Sequence, residues 1–265
     1  MEIGASSACF YPTVTEKAFL RIAELGFRNS EIFFNSRCER DPSFIKELCS
    51  VRDAFGMNIT SLHPYCSFAE GYNFFSAYER RFSDGVETYK RFFDAAAILG
   101  AKYIVLHGAK GFQELSDEEY AERFFRLNEV ARSLGCTVAH ENVVNFTGAT
   151  PAFMKKMKSL LGDDFKMVLD VKQARRAGVR AEDFIDIMGK SIVHVHLSDF
   201  TSEKDCIAPC ENGLLDFAEL FRKLNGVGYS GKYIIELYAD SYKEENEILH
   251  SANYLEGILN KVRQG

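Results

Sequence analysis

The feature that most constrains this chain is a repeated unit of a short apolar run, a polar loop and a longer amphipathic stretch, at intervals of roughly 30 residues. Eight apolar runs are predicted to be strands: 2–6, 31–34, 59–63, 103–108, 137–142, 167–170, 192–199 and 233–238. Helices are predicted at 13–26, 41–56, 75–99, 116–134, 150–161, 181–188, 215–225 and 242–262. Strict alternation of strand and helix indicates parallel strands joined by crossover helices.

Eight such units favour a closed barrel over an open sheet. No G-x-G-x-x-G or Walker-type loop follows the first run, which removes the main support for a nucleotide-binding sheet. No linker rich in Pro, Gly or Ser divides the 265 residues, and barrels of this size commonly form one domain. We therefore predict an α/β protein with a single domain over residues 1–265, a (β/α)8 TIM barrel.

Two helix ends carry recognisable signals. Thr13 and Glu16 have the spacing of a capping box at the start of the first predicted helix. Pro42 at the start and Gly56 at the end of the second predicted helix follow the usual asymmetry of these two residues. The sequence thus predicts where both helices begin and where the second one ends.

Composition narrows the functional classes. The chain has no run of eighteen apolar residues and no export signal at its start, so we expect a cytoplasmic protein without a membrane partner. Its seven cysteines are then expected to be free thiols. The formal net charge is −6 and Lys and Arg are scattered, whereas nucleic-acid binding usually needs a concentrated basic surface. No nucleic-acid partner is expected.

Ionisable side chains concentrate where the apolar runs end, and the C-terminal ends of barrel strands form the active-site face. These residues are Glu31, His63, His107, Glu141, Asp170, His194, His196 and Glu236. Side chains two apart in a strand share a face. An inward His196 therefore takes His194 with it, and an inward Glu141 turns His140 outward towards the helices.

Four of these residues, from successive strands, are predicted to form one cluster: Glu141, Asp170, His196 and Glu236. Three buried carboxylates would repel one another and raise their pKa values, and a divalent ion removes that conflict. The oxygen-rich set suits Mn²⁺ or Mg²⁺, while the imidazole leaves Zn²⁺, Co²⁺ and Fe²⁺ open.

Several segments, in order and one per strand, resemble the xylose isomerase-like barrel superfamily. They are Glu-Asn at 141–142, Leu-Asp ending at 170, His-x-His-x-Ser-Asp at 194–199, Ile-Glu at 235–236 and NGLLDF at 212–217. That superfamily includes sugar epimerases of the tagatose 3-epimerase type, hydroxypyruvate isomerase, inosose dehydratase and, more distantly, endonuclease IV. Barrels of this group often form oligomers, so a homo-oligomer stays open.

The resemblance implies a metal held by Glu141, Asp170, His196 and Glu236, with Glu141 and Glu236 also exchanging protons with substrate. It implies that His63 and His107 contact the substrate. Glu31 is predicted either to contact substrate or to be a buried structural carboxylate. His194 is predicted either to orient a ligand residue through hydrogen bonds or to be a core histidine.

The sequence departs from the superfamily at DVKQ (170–173), where many members have Asp-x-x-His. Gln173 replaces that histidine and is a poor zinc ligand, although its amide can still bind a hydroxyl. Lys172 adds a positive charge that the common pattern lacks. Both residues are predicted either to contact substrate or to lie in a solvated loop.

These features predict a divalent-metal-dependent isomerase or epimerase of a sugar or sugar phosphate, acting by proton transfer through an enediolate. The alternatives are a lyase of the inosose dehydratase type, a phosphodiesterase resembling endonuclease IV, and a barrel that binds sugar without catalysis. The reaction class follows from resemblance, since one barrel fold supports many chemistries.

Overall fold

A computed structural model of the chain describes residues 2–111 and 114–264. Within those residues, eight parallel strands pair in chain order, and β8 pairs with β1 to close a barrel. The strands are β1 (Ile3–Ser6), β2 (Asn29–Phe33), β3 (Asn58–His63), β4 (Tyr103–Leu106), β5 (Thr137–Glu141), β6 (Lys166–Asp170), β7 (Ile192–Leu197) and β8 (Tyr233–Ile235).

Helices fill the connections between the strands and surround the barrel. They are α1 (Thr15–Glu24), α2 (Pro42–Phe55), α3 (Glu70–Phe74), α4 (Glu79–Leu99), α5 (Asp117–Ser133), α6 (Pro151–Leu161), α7 (Val171–Arg176), α8 (Ala181–Met188), α9 (Phe217–Gly226) and α10 (Asn246–Gln264). This arrangement confirms the predicted (β/α)8 TIM barrel. None of the helices in the described part of the chain has the length and apolar character needed to cross a bilayer.

The signals at the ends of α2 are confirmed. Pro42 occupies the first turn, and Gly56 follows the helix with φ 62°, in the left-handed region that glycine adopts most easily. At α5, Ser116 and Glu119 form a capping box that satisfies the amides of both residues.

The predicted capping box at Thr13 is wrong. The α1 helix starts at Thr15, and its N-cap, Val14, makes no side-chain hydrogen bond to the helix. The amide of Thr13 instead donates to the carbonyl oxygen of Phe10 at 2.8 Å, closing a turn before the helix begins. Local turn formation therefore overrides the spacing signal.

Along β4, β5 and β6, inward apolar side chains are followed by ionisable ones at the strand ends. The main core lies between strands and helices, while Val105, Ala139 and Val168 form a small apolar cluster of their own. Two residues further along the chain, on the same face of each strand, come His107, Glu141 and Asp170. In these strands small apolar side chains thus lie below the ionisable ones at the C-terminal rim, while Glu31 and His194 are buried deeper in the interior.

The α7 helix was not predicted, because six residues are too few to show an apolar stripe. It begins directly after Asp170, whose Oδ1 accepts a hydrogen bond from the amide of Gln173 at 2.9 Å. Asp is among the best N-cap residues, and here it ends a strand and caps a helix at once. Lys172 and Gln173 therefore lie on a helix and not in a loop.

Candidate metal centre and active site

The C-terminal rim brings together the residues that we call the rim cluster: Glu141, Asp170, His196 and Glu236. One ligand atom from each lies within 4.8 Å of the others. Three of the residues end or lie within β5, β6 and β7, and Glu236 directly follows β8. The side chains of the first three are at most 2% exposed, and that of Glu236 is 12% exposed.

The imidazole of His196 lies at the centre of the rim cluster. Its Nδ1 is 2.9 Å from Oε1 of Glu141, 3.6 Å from Oε2 of Glu236 and 3.9 Å from Oδ2 of Asp170. Its Nε2 faces the opposite way, 3.0 Å from Oε2 of Glu31. Nδ1 is therefore the ring nitrogen directed at the three carboxylates.

Asp170 provides the test of whether a cation fits. Its Oδ1 accepts a hydrogen bond from the amide of Gln173, whereas Oδ2 is buried and accepts none from any residue that the structure describes. Buried polar atoms are rarely left in this state, and the exceptions often mark an ion or a functional site. Three carboxylates and one imidazole are a donor set suited to a divalent metal ion. The residues of the rim cluster fit such an ion.

A lysine side chain touches the rim cluster. Nζ of Lys172 lies 3.3 Å from Oε2 of Glu236 and 3.6 Å from Oδ2 of Asp170, and its side chain is 3% exposed. Lys172 also lies over the ring of Tyr238, at 4.7 Å from the centroid. Lys172 is thus a buried cation beside the rim cluster. The alternative prediction, a solvated loop residue, is wrong.

Burial and neighbouring charges shift the pKa values of the rim-cluster residues. Burial raises the pKa of Asp170 to about 6, although Lys172 opposes the shift. Burial by itself would lower the pKa of His196, but the neighbouring carboxylates of Glu31 and Glu236 hold it well above its ordinary value. Burial opposes ionisation of Glu141, yet hydrogen bonds from His107 and His196 lower its pKa well below the usual range.

His63 and His107 lie on the cavity side of Glu141. Their Nε2 atoms are 2.9 Å apart, and Nε2 of His107 lies 2.9 Å from Oε2 of Glu141. Two imidazole nitrogens at that distance share a proton, so at least one ring acts as a donor. Together with Glu141 these rings form another group that could hold a metal ion.

Glu70 is a functional candidate that sequence reasoning missed. It is fully buried at the start of α3, and its Oε2 accepts hydrogen bonds from the amides of His107 and Gly108 at 2.7 and 2.8 Å. Its Oε1 accepts from the hydroxyl of Tyr89 at 2.6 Å. Glu70 therefore fixes the backbone that carries His107. A lone Glu on a short helix gave no sequence signal for this role.

Glu31 and His194 lie deeper in the barrel than the rim cluster. Glu31 is fully buried, and its Oε2 is 3.2 Å from Nε2 of His194. His194 shares its inward face with His196, as the alternation predicts. His140 turns outward, as predicted, and packs among Tyr120, Phe153 and other aromatic rings of the helical layer.

The cavity over the rim cluster has a volume of about 370 Å³. Residues predicted as site residues that line it are His63, His107, Glu141, Lys172, Gln173 and Glu236. Lining residues that were not predicted as site residues are Ala8, Tyr11, Phe33, Asn35, Leu237, Tyr238 and Ala239, although Tyr238 shares the inward direction predicted for Glu236. Most of these follow β1, β2 and β8, and position after a strand end was the available signal. Glu31 is not among the lining residues.

A family model described as the xylose isomerase-like TIM barrel matches residues 19–258 of this chain. The chain belongs to that family.

Relatives of this xylose isomerase-like barrel span nearly its whole length. An uncharacterised protein of Methanocaldococcus jannaschii is 27% identical over 279 residues, covering 100% of this chain and 92% of the relative. An inosose dehydratase of Serratia proteamaculans is 25% identical over 254 residues, covering 83% of this chain and 80% of the relative. A solved structure of a D-tagatose 3-epimerase-like protein has a TM-score of 0.80 at 23% identity, covering 100% of this chain and 99% of the other.

Gln173 is where this member of the family differs from the Asp-x-x-His pattern. Its Oε1 accepts a hydrogen bond from the amide of Val144 at 3.2 Å, and its side chain lines the cavity. Since the carbonyl oxygen is engaged by the backbone, the amide NH₂ is the group that remains for a ligand. A hydrogen-bond donor of Gln173 therefore occupies the position where the Asp-x-x-His pattern has an imidazole.

Proposed function

We propose that this protein is a divalent-metal-dependent isomerase or epimerase of a small sugar, with Mn²⁺ or Mg²⁺ as the preferred ion. The observation that carries the proposal is the rim cluster, in which the buried Oδ2 of Asp170 accepts no hydrogen bond from the described residues and two glutamates line one cavity. Glu141, Asp170, His196 and Glu236 would hold the ion. A divalent ion there would act as a Lewis acid on a substrate carbonyl and acidify the neighbouring C–H group.

Proton transfer is assigned to Glu141 and Glu236. Both carboxylates line the cavity from different strands, so they can reach a bound sugar from different sides. One takes a proton from the carbon beside the carbonyl, and in an epimerisation the other returns a proton to the opposite face. Acid–base help of this kind contributes about 10²–10⁴ in rate.

His63 and His107 are assigned to substrate binding. Both rings line the cavity, so a ring nitrogen that is not engaged in the contact between them can bind a substrate oxygen. Phe33 stacks on His63, with ring centroids 4.4 Å apart, and so limits how far that ring can turn. The amide NH₂ of Gln173 supplies a further donor.

The lining favours an unphosphorylated sugar. Lys172 is the one cation among the described lining residues, and its ammonium group is already engaged by Glu236. A phosphate group usually needs several cationic or backbone donors in addition. The aromatic rings of Tyr11, Phe33 and Tyr238 instead offer apolar faces of the kind that small-molecule sites use beside a few polar groups.

The names of two relatives support a carbohydrate substrate, since one is an inosose dehydratase and one structure is of a D-tagatose 3-epimerase-like protein. The dehydratase relative favours a second candidate, a lyase acting on a keto-sugar or keto-cyclitol at the same cluster. The phosphodiesterase alternative has less support, because Gln173 replaces a histidine and the lining has little positive charge.

The test is a screen of unphosphorylated ketoses and inososes in D₂O, followed by NMR. Protein is supplied with Mn²⁺ or Mg²⁺, with chelator-treated protein as the control. We expect metal-dependent exchange of the hydrogen beside the carbonyl in at least one ketose.

Three other results would point elsewhere. A product with a new conjugated absorbance would establish the dehydratase. Saturable sugar binding without hydrogen exchange would indicate a sugar-binding protein without catalytic activity. Equal exchange in chelator-treated protein would remove the metal from the proposal.

A further inference from the structure

The carboxylate of Glu31 is surrounded by hydrogen-bond donors inside the barrel. Its Oε1 accepts from the hydroxyl of Ser6 at 3.1 Å, and its Oε2 accepts from the hydroxyl of Ser61 at 2.8 Å. Oε2 also lies 3.2 Å from Nε2 of His194 and 3.0 Å from Nε2 of His196. Glu31 is fully buried, and its ion pairs within the described residues involve only these two imidazoles.

The contact with Glu31 fixes Nε2 of His196 as a hydrogen-bond donor. An ionised carboxylate can only accept, so the Nε2 atom that faces Glu31 must carry the hydrogen. The other ring nitrogen, Nδ1, faces the carboxylates of the rim cluster. Without an ion, Nδ1 also meets a carboxylate, Oε1 of Glu141 at 2.9 Å, and can carry a hydrogen of its own. A cation held by the rim cluster would take the place of that hydrogen and receive the lone pair of Nδ1, while Nε2 keeps its hydrogen towards Glu31.

We propose that Glu31 is a positioning residue of the metal centre: it keeps the proton of His196 on Nε2 and so presents Nδ1 to the ion. This inference depends on the proposed function, because it takes the rim cluster to bind a divalent ion. Partners of this kind fix the tautomer and orientation of a metal-binding histidine, and losing one typically lowers metal affinity about 10–100-fold.

Other roles for Glu31 fit the structure less well. The cavity lining does not include it, which disfavours direct contact with substrate. Glu31, His194 and His196 could themselves hold an ion by distance alone. However, the oxygens of Glu31 already accept from two serine hydroxyls, while no described residue donates a hydrogen bond to Oδ2 of Asp170, whose cationic neighbour Lys172 lies 3.6 Å away. Hydrogen-bond donors occupy the oxygens of Glu31, whereas the rim cluster keeps a carboxylate oxygen that can bind a cation.

The mutational test compares Glu31→Gln with Glu39→Gln in the full-length chain. Glu39 is a matched control, because it is buried and accepts hydrogen bonds, but from the hydroxyl of Thr15 and the amide of Asn35 and not from a ligand ring. Chelator-treated proteins are titrated with Co²⁺, and the visible spectrum of the bound ion is recorded. We expect Glu31→Gln to weaken Co²⁺ binding about 10–100-fold and to change the spectrum. Glu31→Asp should recover part of the lost affinity, and Glu39→Gln should bind Co²⁺ as tightly as the unmodified protein.

A second measurement needs no variant and therefore no assumption about folding. In protein labelled with ¹⁵N-histidine and loaded with Zn²⁺, NMR correlations through the ring should show His196 protonated at Nε2 and metal-bound at Nδ1. Metal bound at Nε2, or an unaltered Co²⁺ affinity and spectrum in a folded Glu31→Gln variant, would overturn the inference alone. Failure of the unmodified protein to bind Co²⁺ or Zn²⁺ would instead remove the metal centre of the proposed function, and this inference with it.

Discussion

Nζ of Lys172 lies 3.3 Å from Oε2 of Glu236, and both side chains are largely or wholly shielded from water. Oδ2 of Asp170 is only slightly further from the same ammonium group, at 3.6 Å. One positive charge is therefore shared by two of the residues that we assign to the metal. It offsets part of the repulsion among three neighbouring carboxylates and also opposes an incoming divalent cation.

Replacing this lysine should change metal binding and metal-free stability in opposite directions. We expect Lys172→Met to raise affinity for Mn²⁺ by about tenfold or more, because a nearby like charge is removed. The metal-free protein should lose about 3 kcal/mol, since two buried carboxylates lose their cation. Calorimetric metal titration and denaturant unfolding with chelator measure the two effects. Lys156→Met, which breaks the exposed ion pair to Glu118, is the control and should change neither. A fall in Mn²⁺ affinity would contradict the prediction.

Neutralising either glutamate of the rim cluster should stop proton transfer. Glu141→Gln and Glu236→Gln are expected to reduce exchange of substrate hydrogen with D₂O by at least about 10²–10⁴. Circular dichroism should stay unchanged, because neither substitution alters side-chain volume much. Glu87→Gln, on an exposed side chain of α4, should exchange normally. Full turnover by both cluster variants would end the assignment of these roles.

Gly108 is expected to tolerate no side chain. It has φ 85°, and an added Cβ would lie 2.2 Å from the hydroxyl of Tyr120 and 2.5 Å from Nε2 of His140. Gly135 has a similar φ of 89° but nothing within 4 Å of the added atom. Denaturant unfolding should show Gly135→Ala losing about 1 kcal/mol to backbone strain and Gly108→Ala losing roughly 2 kcal/mol more. Equal losses would show that the loop relaxes around the methyl group.

His140 should make the folded state sensitive to acid. Burial lowers its pKa from 6.5 to about 4, and its neutral ring donates from Nδ1 to the carbonyl oxygen of Glu141. The pKa of His140 in the folded protein lies below its unfolded value of 6.5. The stabilisation from the neutral ring is therefore fully present above pH 6.5 and is lost as the pH falls towards 4. The unfolded chain binds the proton first, so the loss by pH 5 is about 2 kcal/mol.

The measurement is the free energy of unfolding at pH 7 and pH 5. Between pH 7 and pH 5, the free energy of unfolding of the His140→Gln variant should decrease by about 2 kcal/mol less than that of the unmodified protein. His250→Gln is the control, because His250 is exposed on α10 and should leave the fall unchanged. The same fall in His140→Gln as in the unmodified protein would contradict the prediction.

The sequence predicted the barrel and the direction of its strand side chains well, because a strand has a period of two. His194 and His196 share the interior and His140 faces the helices, each as the alternation requires. The rim cluster also converges as predicted, since the strand ends of a parallel barrel meet at one face. Both results depend only on local periodicity and strand order.

The sequence could not predict which loop residues line the cavity or how deep in the barrel each inward side chain lies. Tyr11 and Asn35 line the cavity from segments that follow strands, and no sequence period places them there. Glu31 was predicted to face inward at the start of a strand, but its depth below the cavity depends on how far β2 extends relative to its neighbours. The register shift between Ser30 and Glu31 against β3 is a tertiary feature without a sequence signal.

Asp170 ends β6 and caps α7, so no flexible connection separates the strand from the helix that carries Lys172 and Gln173. These two side chains therefore stand on a support as rigid as the barrel itself. A change of substrate preference at this edge therefore requires substitution of Lys172 or Gln173. Inserting or deleting residues there would remove the cap and move the carboxylate at the same time.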